Sequence, residues 1–253
     1  MVLIMLTTWR YMDIFPNRLN DFMSKPRHTK GRESLLMKRL TYDLQLSAAI
    51  NGAYLMAYDV DVDHNGYDLI LDTEMVSKKI QVKSKNVNSK TSSWHISKGL
   101  LRPSLPDMMN IPFWNTLGSG GISGGVILKI FTVNNTTIDM EYYYTDLRIL
   151  TLKHLSIIGN EKTKIKARKA LIQLMDGDFH DKIELRLSHF VKVNKPEFLL
   201  PLMGLNSRYC PFQWIHFMYS RYHKKGERNY IAPKEYLDEQ IKSDLNMFCD
   251  TLK

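Results

Sequence analysis

The pattern of apolar positions predicts one long helix in the first quarter of the chain. Between residues 29 and 50, apolar side chains recur three or four residues apart, at Leu35, Leu36, Leu40, Leu44 and Ala48. This is the spacing of one face of an α-helix. Asn51-Gly52 follows directly, and such a pair favours the left-handed backbone that ends helices. We therefore expect a helix from about Thr29 or Gly31 to Ile50.

Three β-rich segments come next, separated by short polar gaps. They are Ala53–Val62, Gly66–Asp72 and Lys78–Lys83, and the turn His64-Asn65-Gly66 opens the second of them. Asn-Gly between β-rich segments is a hairpin signal. The pattern predicts an antiparallel meander packed against the helix.

The remainder of the chain alternates irregular and regular segments. Residues 86–93 are polar and predict a loop, and residues 95–117 contain three prolines and predict irregular structure. Two further strands are expected at 126–133 and 138–144, joined by a turn at Asn134-Asn135. An amphipathic, lysine-rich helix is predicted over 161–175, a strand within 183–193 and a terminal helix over 234–252.

These elements predict an α/β fold with a mixed sheet of about four or five strands flanked by helices. The pattern changes near residue 150. We expect an N-terminal arm over 1–28, a core domain over 29–150 and a basic, mostly helical C-terminal region over 151–253.

Charge narrows the class of partner. The chain carries 35 Lys and Arg against 26 Asp and Glu, a net charge of +9. An excess of this size favours a polyanionic partner such as nucleic acid, because phosphate contacts release condensed counterions. An acidic protein partner is the alternative. The two cysteines form no metal or disulfide pattern, and the apolar run Val2–Leu6 is too short to span a membrane, so we expect a cytoplasmic protein.

One stretch carries candidate chemistry. Asp68 lies on the second predicted strand, and Gln81 and Lys83 lie on the third. Residues i and i+2 of a strand share a face, and a suitable hairpin register brings Asp68 to them. A carboxylate, an amide oxygen and the Val82 carbonyl can hold a divalent cation, while the lysine orients a water or neutralises a phosphate.

Gly-x-Asp followed by a strand ending in Gln-x-Lys resembles the PD-(D/E)XK, or restriction-endonuclease-like, nuclease superfamily. The Gln-x-Lys form is similar to Mrr-type restriction endonucleases and to small domains found in bacterial defence genes. The resemblance covers roughly residues 29–145. It implies a Mg²⁺- or Mn²⁺-dependent endonuclease acting on DNA, with Asp68, Gln81 and Lys83 as catalytic residues and Glu33, on the preceding helix, as a further metal ligand.

Two positions depart from the family pattern. Tyr67 stands where a proline usually precedes the acidic residue, and Gln81 stands at the second acidic position. The second departure removes a negative charge. It leaves open a catalytically silent subunit that binds nucleic acid or assembles a complex.

Further positions are candidates for contact with DNA. They combine cations, a histidine and one tryptophan in a predicted polar loop, and they are Lys85, Trp94, His95, Arg221, Lys224 and Lys225. The resemblance also implies a role in restriction or antiviral defence, with other defence subunits as partners. Cleavage of both strands of a duplex commonly needs two sites, so a homodimer is expected.

Overall fold

The computed structural model describes residues 18–60, 66–74, 76–108, 114, 120–156, 158–193 and 195–205. Its centre is a six-stranded mixed sheet. The strands are β1 (Met56–Asp59), β2 (Leu69–Asp72), β3 (Ser77–Asn86), β5 (Gly125–Asn134), β6 (Thr137–Asp146) and β8 (Val191–Val193), in that spatial order. β3 and β5 run parallel, and the other neighbouring pairs are antiparallel. The α/β class, the mixed sheet and the predicted meander are thus confirmed, with six strands instead of four or five.

Helices and a small second sheet cover the two faces. The second sheet pairs β4 (Ser93–Ser97) with β7 (Lys182–Arg186). The α-helices are α1 (Arg18–Ser24), α2 (Thr29–Ile50), α3 (Lys98–Leu101), α4 (Leu105–Met108), α5 (Leu147–His154), α6 (Glu161–Met175) and α7 (Leu199–Met203). Short 3₁₀ helices span Pro26–His28, Leu187–His189 and Pro196–Phe198. Within the described residues, no helix has the length and apolarity needed to cross a bilayer.

Helix α2 covers one face of the sheet, as its spacing predicts. Leu40, Leu44 and Ala48 are buried against residues of β2, β3, β5 and β6. Leu35, which the same pattern assigned to the buried face, is 42% exposed. Asp43 is buried on this helix because the Tyr142 hydroxyl donates to its carboxylate at 2.7 Å.

Strand β5 is buried on both faces, as expected for a strand with a parallel neighbour. Its residues alternate between two hydrophobic clusters. Ile127 packs in the α2 cluster, whereas Val126, Leu128 and Ile130 pack in a second cluster. That second cluster includes residues of the β4–β7 sheet, of α3 and of α6. The alternation of β5 therefore shows which face any neighbouring side chain occupies.

Residues on both sides of position 150 contribute to the same core. β8 pairs with β6, and Leu199 to Leu205 join the cluster under α2. Helix α6 spans the residues predicted for it and begins with a capping box formed by Asn160 and Thr163. The remainder of the C-terminal region, 206–253, and the arm before residue 18 lie outside the described residues.

Two sequence predictions were wrong in this part of the fold. The segment 93–97, expected at the edge of a loop and an irregular stretch, forms β4. Trp94 consequently lies in the second cluster, only 8% exposed, with its ring edge against Phe190 at a centroid distance of 5.7 Å. The predicted strand within 183–193 is two strands, β7 and β8, separated by a 3₁₀ turn.

A charged cluster is buried where β6 meets α5. Asp146 Oδ2 lies 3.6 Å from Lys78 Nζ and 3.3 Å from Arg148 Nη2, and it accepts the Tyr144 hydroxyl at 2.8 Å. Asp146 Oδ1 accepts the Ile149 amide at 2.9 Å and so caps α5. Burial alone would raise the pKa of Asp146, but Arg148 and Lys78 lower it overall. The carboxylate stays charged and links two strands to a helix.

Candidate functional site

Strand β3 extends beyond the first residue of its neighbour β2. β2 pairs with β3 only from Ser77 to Ile80, while β3 continues to Asn86 with β5 as its parallel neighbour. We call the place beside Val82, where β3 extends beyond β2, the notch. Asp68 is the residue immediately before β2, so it stands at the notch.

The backbone of β3 holds Asp68 in place. The Asp68 amide donates to the Ile80 carbonyl at 2.9 Å, and the Val82 amide donates to Asp68 Oδ2 at 2.7 Å. A carboxylate that accepts a backbone N–H makes a short, strong hydrogen bond. The N–H and C=O of one strand residue point to the same edge, so the Val82 carbonyl also faces the notch. The structure thus brings together two of the predicted metal ligands, Asp68 and Val82.

Gln81 and Lys83 lie on a shared face of β3, as predicted. Their partners on β5 are Val126 and Leu128, so both project from the face that carries the second cluster. Gln81 is 5% exposed, and its Oε1 is buried without a hydrogen-bond partner in the described structure. Lys83 is half-buried and belongs to no ion pair with a described carboxylate. Asp68 comes directly before Leu69 and Gln81 directly after Ile80, and these two form the last pair of the β2–β3 ladder.

A second lysine, Lys129, lies on the other face of the sheet, in the strand next to β3. Lys129 is the β5 partner of Ser84. It lies on the same face of β5 as Ile127 and Phe131, so it projects toward α2. It is only 2% exposed. Burial lowers its pKa from 10.5 to about 8, against the opposing attraction of the carboxylates of Asp68, Glu33 and Asp59. The sequence interpretation did not include this lysine.

Glu33 lies in the first turns of α2 and is exposed. It borders a groove of about 530 Å³ on the α2 side of the sheet. The groove is lined mainly by polar side chains, at Asn20, Met23, Ser24, Arg32, Glu33, Ser84, Lys85, Asn86, Asn88, Ser89, Thr91 and Phe131. Glu33 lies at the groove and Asp68 at the notch, and the charges of both carboxylates oppose the lowering of the Lys129 pKa.

The predicted nucleic-acid contacts divide into three groups. Lys85 lines the groove, where its ammonium donates to the Thr91 carbonyl at 2.8 Å. His95 is exposed on β4, opposite Glu184. Trp94 is enclosed in the core, so stacking on a base is excluded in this conformation. Arg221, Lys224 and Lys225 lie outside the described residues.

The oxygen atoms of Asp68, Val82 and Gln81 are of the type that binds a hard divalent cation. A carboxylate, a backbone carbonyl and an amide oxygen with no partner are all oxygen ligands of the type that Mg²⁺ and Mn²⁺ take. The described residues contain no group of three or more His, Cys, Asp and Glu side chains able to hold a metal. Mg²⁺ commonly binds proteins through one or two carboxylates, with waters and substrate phosphates completing its shell.

No protein family matches this chain, and no curated protein or solved structure shows significant similarity to it.

Proposed function

We propose that this chain is a Mg²⁺- or Mn²⁺-dependent endonuclease that hydrolyses DNA phosphodiester bonds at the notch. One observation carries the proposal. The Asp68 carboxylate is fixed by the Val82 amide of β3, and the neighbouring residue of that strand, Gln81, has a buried side-chain oxygen with no hydrogen-bond partner. A buried, unsatisfied polar atom is rare and costly in folded proteins, and a cation bound at the notch would satisfy it.

Each ligand has a specific part in this proposal. Asp68 supplies the anionic oxygen, and the Val82 carbonyl and Gln81 Oε1 supply neutral ones. A divalent ion, when bound, stabilises negative charge on the phosphate and lowers the pKa of a coordinated water. Glu33, which lines the groove, would supply a second carboxylate to the metal or to the attacking water. Lys83 is the lysine that the family resemblance implies, and its ammonium would orient the water or neutralise the phosphate.

The substrate class rests on charge and resemblance. The net charge of +9 suits a polyanion, and Arg32 and Lys85 place cations along the groove beside Glu33. The resemblance to Mrr-type nucleases supports DNA as substrate, a restriction or anti-phage role, and a homodimer or other defence subunits as partners.

Supercoiled plasmid, incubated with the purified full-length chain and Mn²⁺ or Mg²⁺, tests the proposal. We expect nicked and linear products that disappear when EDTA is added. Asp68→Asn should reduce the rate by at least about 100-fold, the scale of losing one electrostatic group at a reacting phosphate. Asp72→Asn, at the other end of β2, is the matched control and should cleave as wild type does. Equal loss in both variants, or no cleavage by wild type, contradicts the proposal.

A second function is favoured by a specific observation. Gln81 removes one acid from the family pattern, and no three-ligand group exists among the described residues. A chain of this kind without cleavage activity would bind nucleic acid or assemble a complex. DNA binding that weakens with salt, survives Asp68→Asn and yields no cleaved product with any divalent ion would establish this function in place of the first.

A further inference from the structure

Helix α2 has apolar side chains on two of its faces. One face is buried against the sheet. Four more apolar residues are spaced seven, four and four positions apart, which places them together on the solvent side of the helix. We call them the outer stripe: Leu35, Tyr42, Leu46 and Ile50, each between 42% and 74% exposed. A helix that is apolar on both sides is normally covered on both, so the outer stripe is a candidate docking surface.

The charges next to the outer stripe are positive. Lys38 and Arg39 are exposed between its first two members, and α2 as a whole has four basic and two acidic side chains. A second copy of the chain docked symmetrically on the stripe would bring the same cations opposite each other. Like charges facing each other across an interface are unfavourable. The stripe therefore fits an occupant that has an apolar face and acidic flanks.

The predicted helix over 234–252 has this pattern. Its apolar positions are four, four, three and four residues apart, at Leu237, Ile241, Leu245, Phe248 and Leu252. The same residues 234–252 carry five acidic and two basic side chains, and Asp238 and Asp244 flank the apolar face of a helix. This face and the outer stripe each advance fifteen positions, about 22 Å of helix. The two faces match in length and are opposite in charge.

The chain can bring this segment to α2. Leu205, the last residue described before it, lies in the cluster under α2, and α7 packs against α2. Residues 206–236 connect Leu205 to the predicted helix. Fully extended, a connection of this length spans about 100 Å, which is three times the length of α2 at about 33 Å. A segment in the same chain also has a high effective concentration at the stripe.

We propose that residues 234–252 form a helix that docks on the outer stripe of α2 in the same molecule. The two apolar faces are buried against each other, and the acidic flanks of the segment lie near the cations of α2. Docking also fixes the far end of residues 206–233, which carry the candidate DNA contacts Arg221, Lys224 and Lys225. The proposal does not depend on the nuclease function.

Amide hydrogen exchange of the full-length chain, followed by mass spectrometry, tests the proposal, because protection reports local stability. We expect residues 237–252 to be protected in wild type, equally at a low and a high protein concentration. Leu46→Asp should speed their exchange at least about tenfold, the scale of losing one buried leucine side chain. Ile172→Asp is the matched control, since it makes the same change at an exposed apolar position of α6, and it should exchange as wild type does.

A charge exchange separates docking from a general loss of stability. Lys38→Glu, at an exposed position, should also speed exchange of the segment, and this variant serves even if Leu46→Asp does not fold. Combining it with Asp238→Lys and Asp244→Lys should restore protection. A merely structural effect of Lys38→Glu would not be reversed by changes two hundred residues away.

Several results would overturn the proposal. They are an unprotected segment in wild type, protection that survives both Leu46→Asp and Lys38→Glu, loss of protection in Ile172→Asp, and failure of the charge exchange to restore it. Protection that appears only at the higher concentration, together with a dimer in sedimentation that Leu46→Asp dissociates, would overturn it in favour of a second copy on the stripe.

Discussion

Replacement of Lys129 by methionine should make the protein more stable. The change keeps the length of the side chain while removing the charge, in an apolar site between Ile127 and Phe131. Exchange of buried charged groups for apolar ones of similar volume is often neutral or stabilising.

The magnitude follows from the pKa of Lys129, which burial lowers from 10.5 to about 8. That difference corresponds to about 3 kcal/mol of preference for the neutral form in the folded protein. Below pH 8 the lysine is charged in both the folded and the unfolded protein. The folded wild type is then destabilised by the full free-energy cost of burying the charge. Between pH 8 and about 10.5 the unfolded chain keeps a proton that the folded protein has released. The free energy of unfolding of the wild type therefore rises with pH through this range. Its difference from that of Lys129→Met becomes smaller.

Urea unfolding at pH 7 and pH 10 measures both effects. We expect Lys129→Met to exceed wild type by about 3 kcal/mol at pH 7 and by clearly less at pH 10. Lys182→Met, an exposed lysine on β7, controls for the general effect of methionine on a strand and should show neither change. A variant less stable than wild type at pH 7, or a gap equal at the two pH values, would refute the reasoning.

Two other substitutions test the core around the site. Asp146→Ala leaves Lys78 and Arg148 buried without their shared carboxylate and removes the cap of α5. The free energy of unfolding, measured in urea, should therefore fall by about 3–5 kcal/mol. A loss under 1 kcal/mol would contradict this account of the cluster. Trp94→Ala should cost about 3–5 kcal/mol because the ring fills the second cluster. DNA affinity of the folded Trp94→Ala variant, measured by fluorescence anisotropy well below its Tm, should match wild type, and a selective loss of affinity would restore the stacking role.

The long elements of the fold follow from the sequence because their patterns are long. Helix α2 and helix α6 have several turns of apolar periodicity and clear end signals. Strands β4 and β7 do not, since each has only two buried residues among polar ones. Trp94 and Ile96 alternate with polar residues, which is a strand pattern too short to distinguish from a polar loop. The pairing of β4 with β7, nearly ninety residues later, supplies what the local sequence lacks.

The residues of the candidate site that lie on β3 could be predicted from the sequence. The residues that β5 brings beside them could not. Spacing alone places Gln81 and Lys83 on one face, and the meander brings Asp68 to the Val82 peptide. The parallel pairing of β3 with β5 cannot be predicted from local spacing, because residues 87–124 separate the two strands. The burial of Lys129 was not predicted for that reason. The signal was present, however, as a lysine inside an otherwise apolar run, which is rare in a buried strand.

A crystal of the full-length chain soaked with Mn²⁺ tests the central claim most directly, since manganese is located by its anomalous scattering. The account predicts one anomalous peak at the notch, within coordination distance of the Asp68 carboxylate and the Val82 carbonyl, with Gln81 Oε1 turned toward it. The peak should be absent from crystals of Asp68→Asn grown and soaked in the same way. No peak beside Asp68 at saturating Mn²⁺, or a peak that persists unchanged in the variant, would contradict a metal-dependent site at this place.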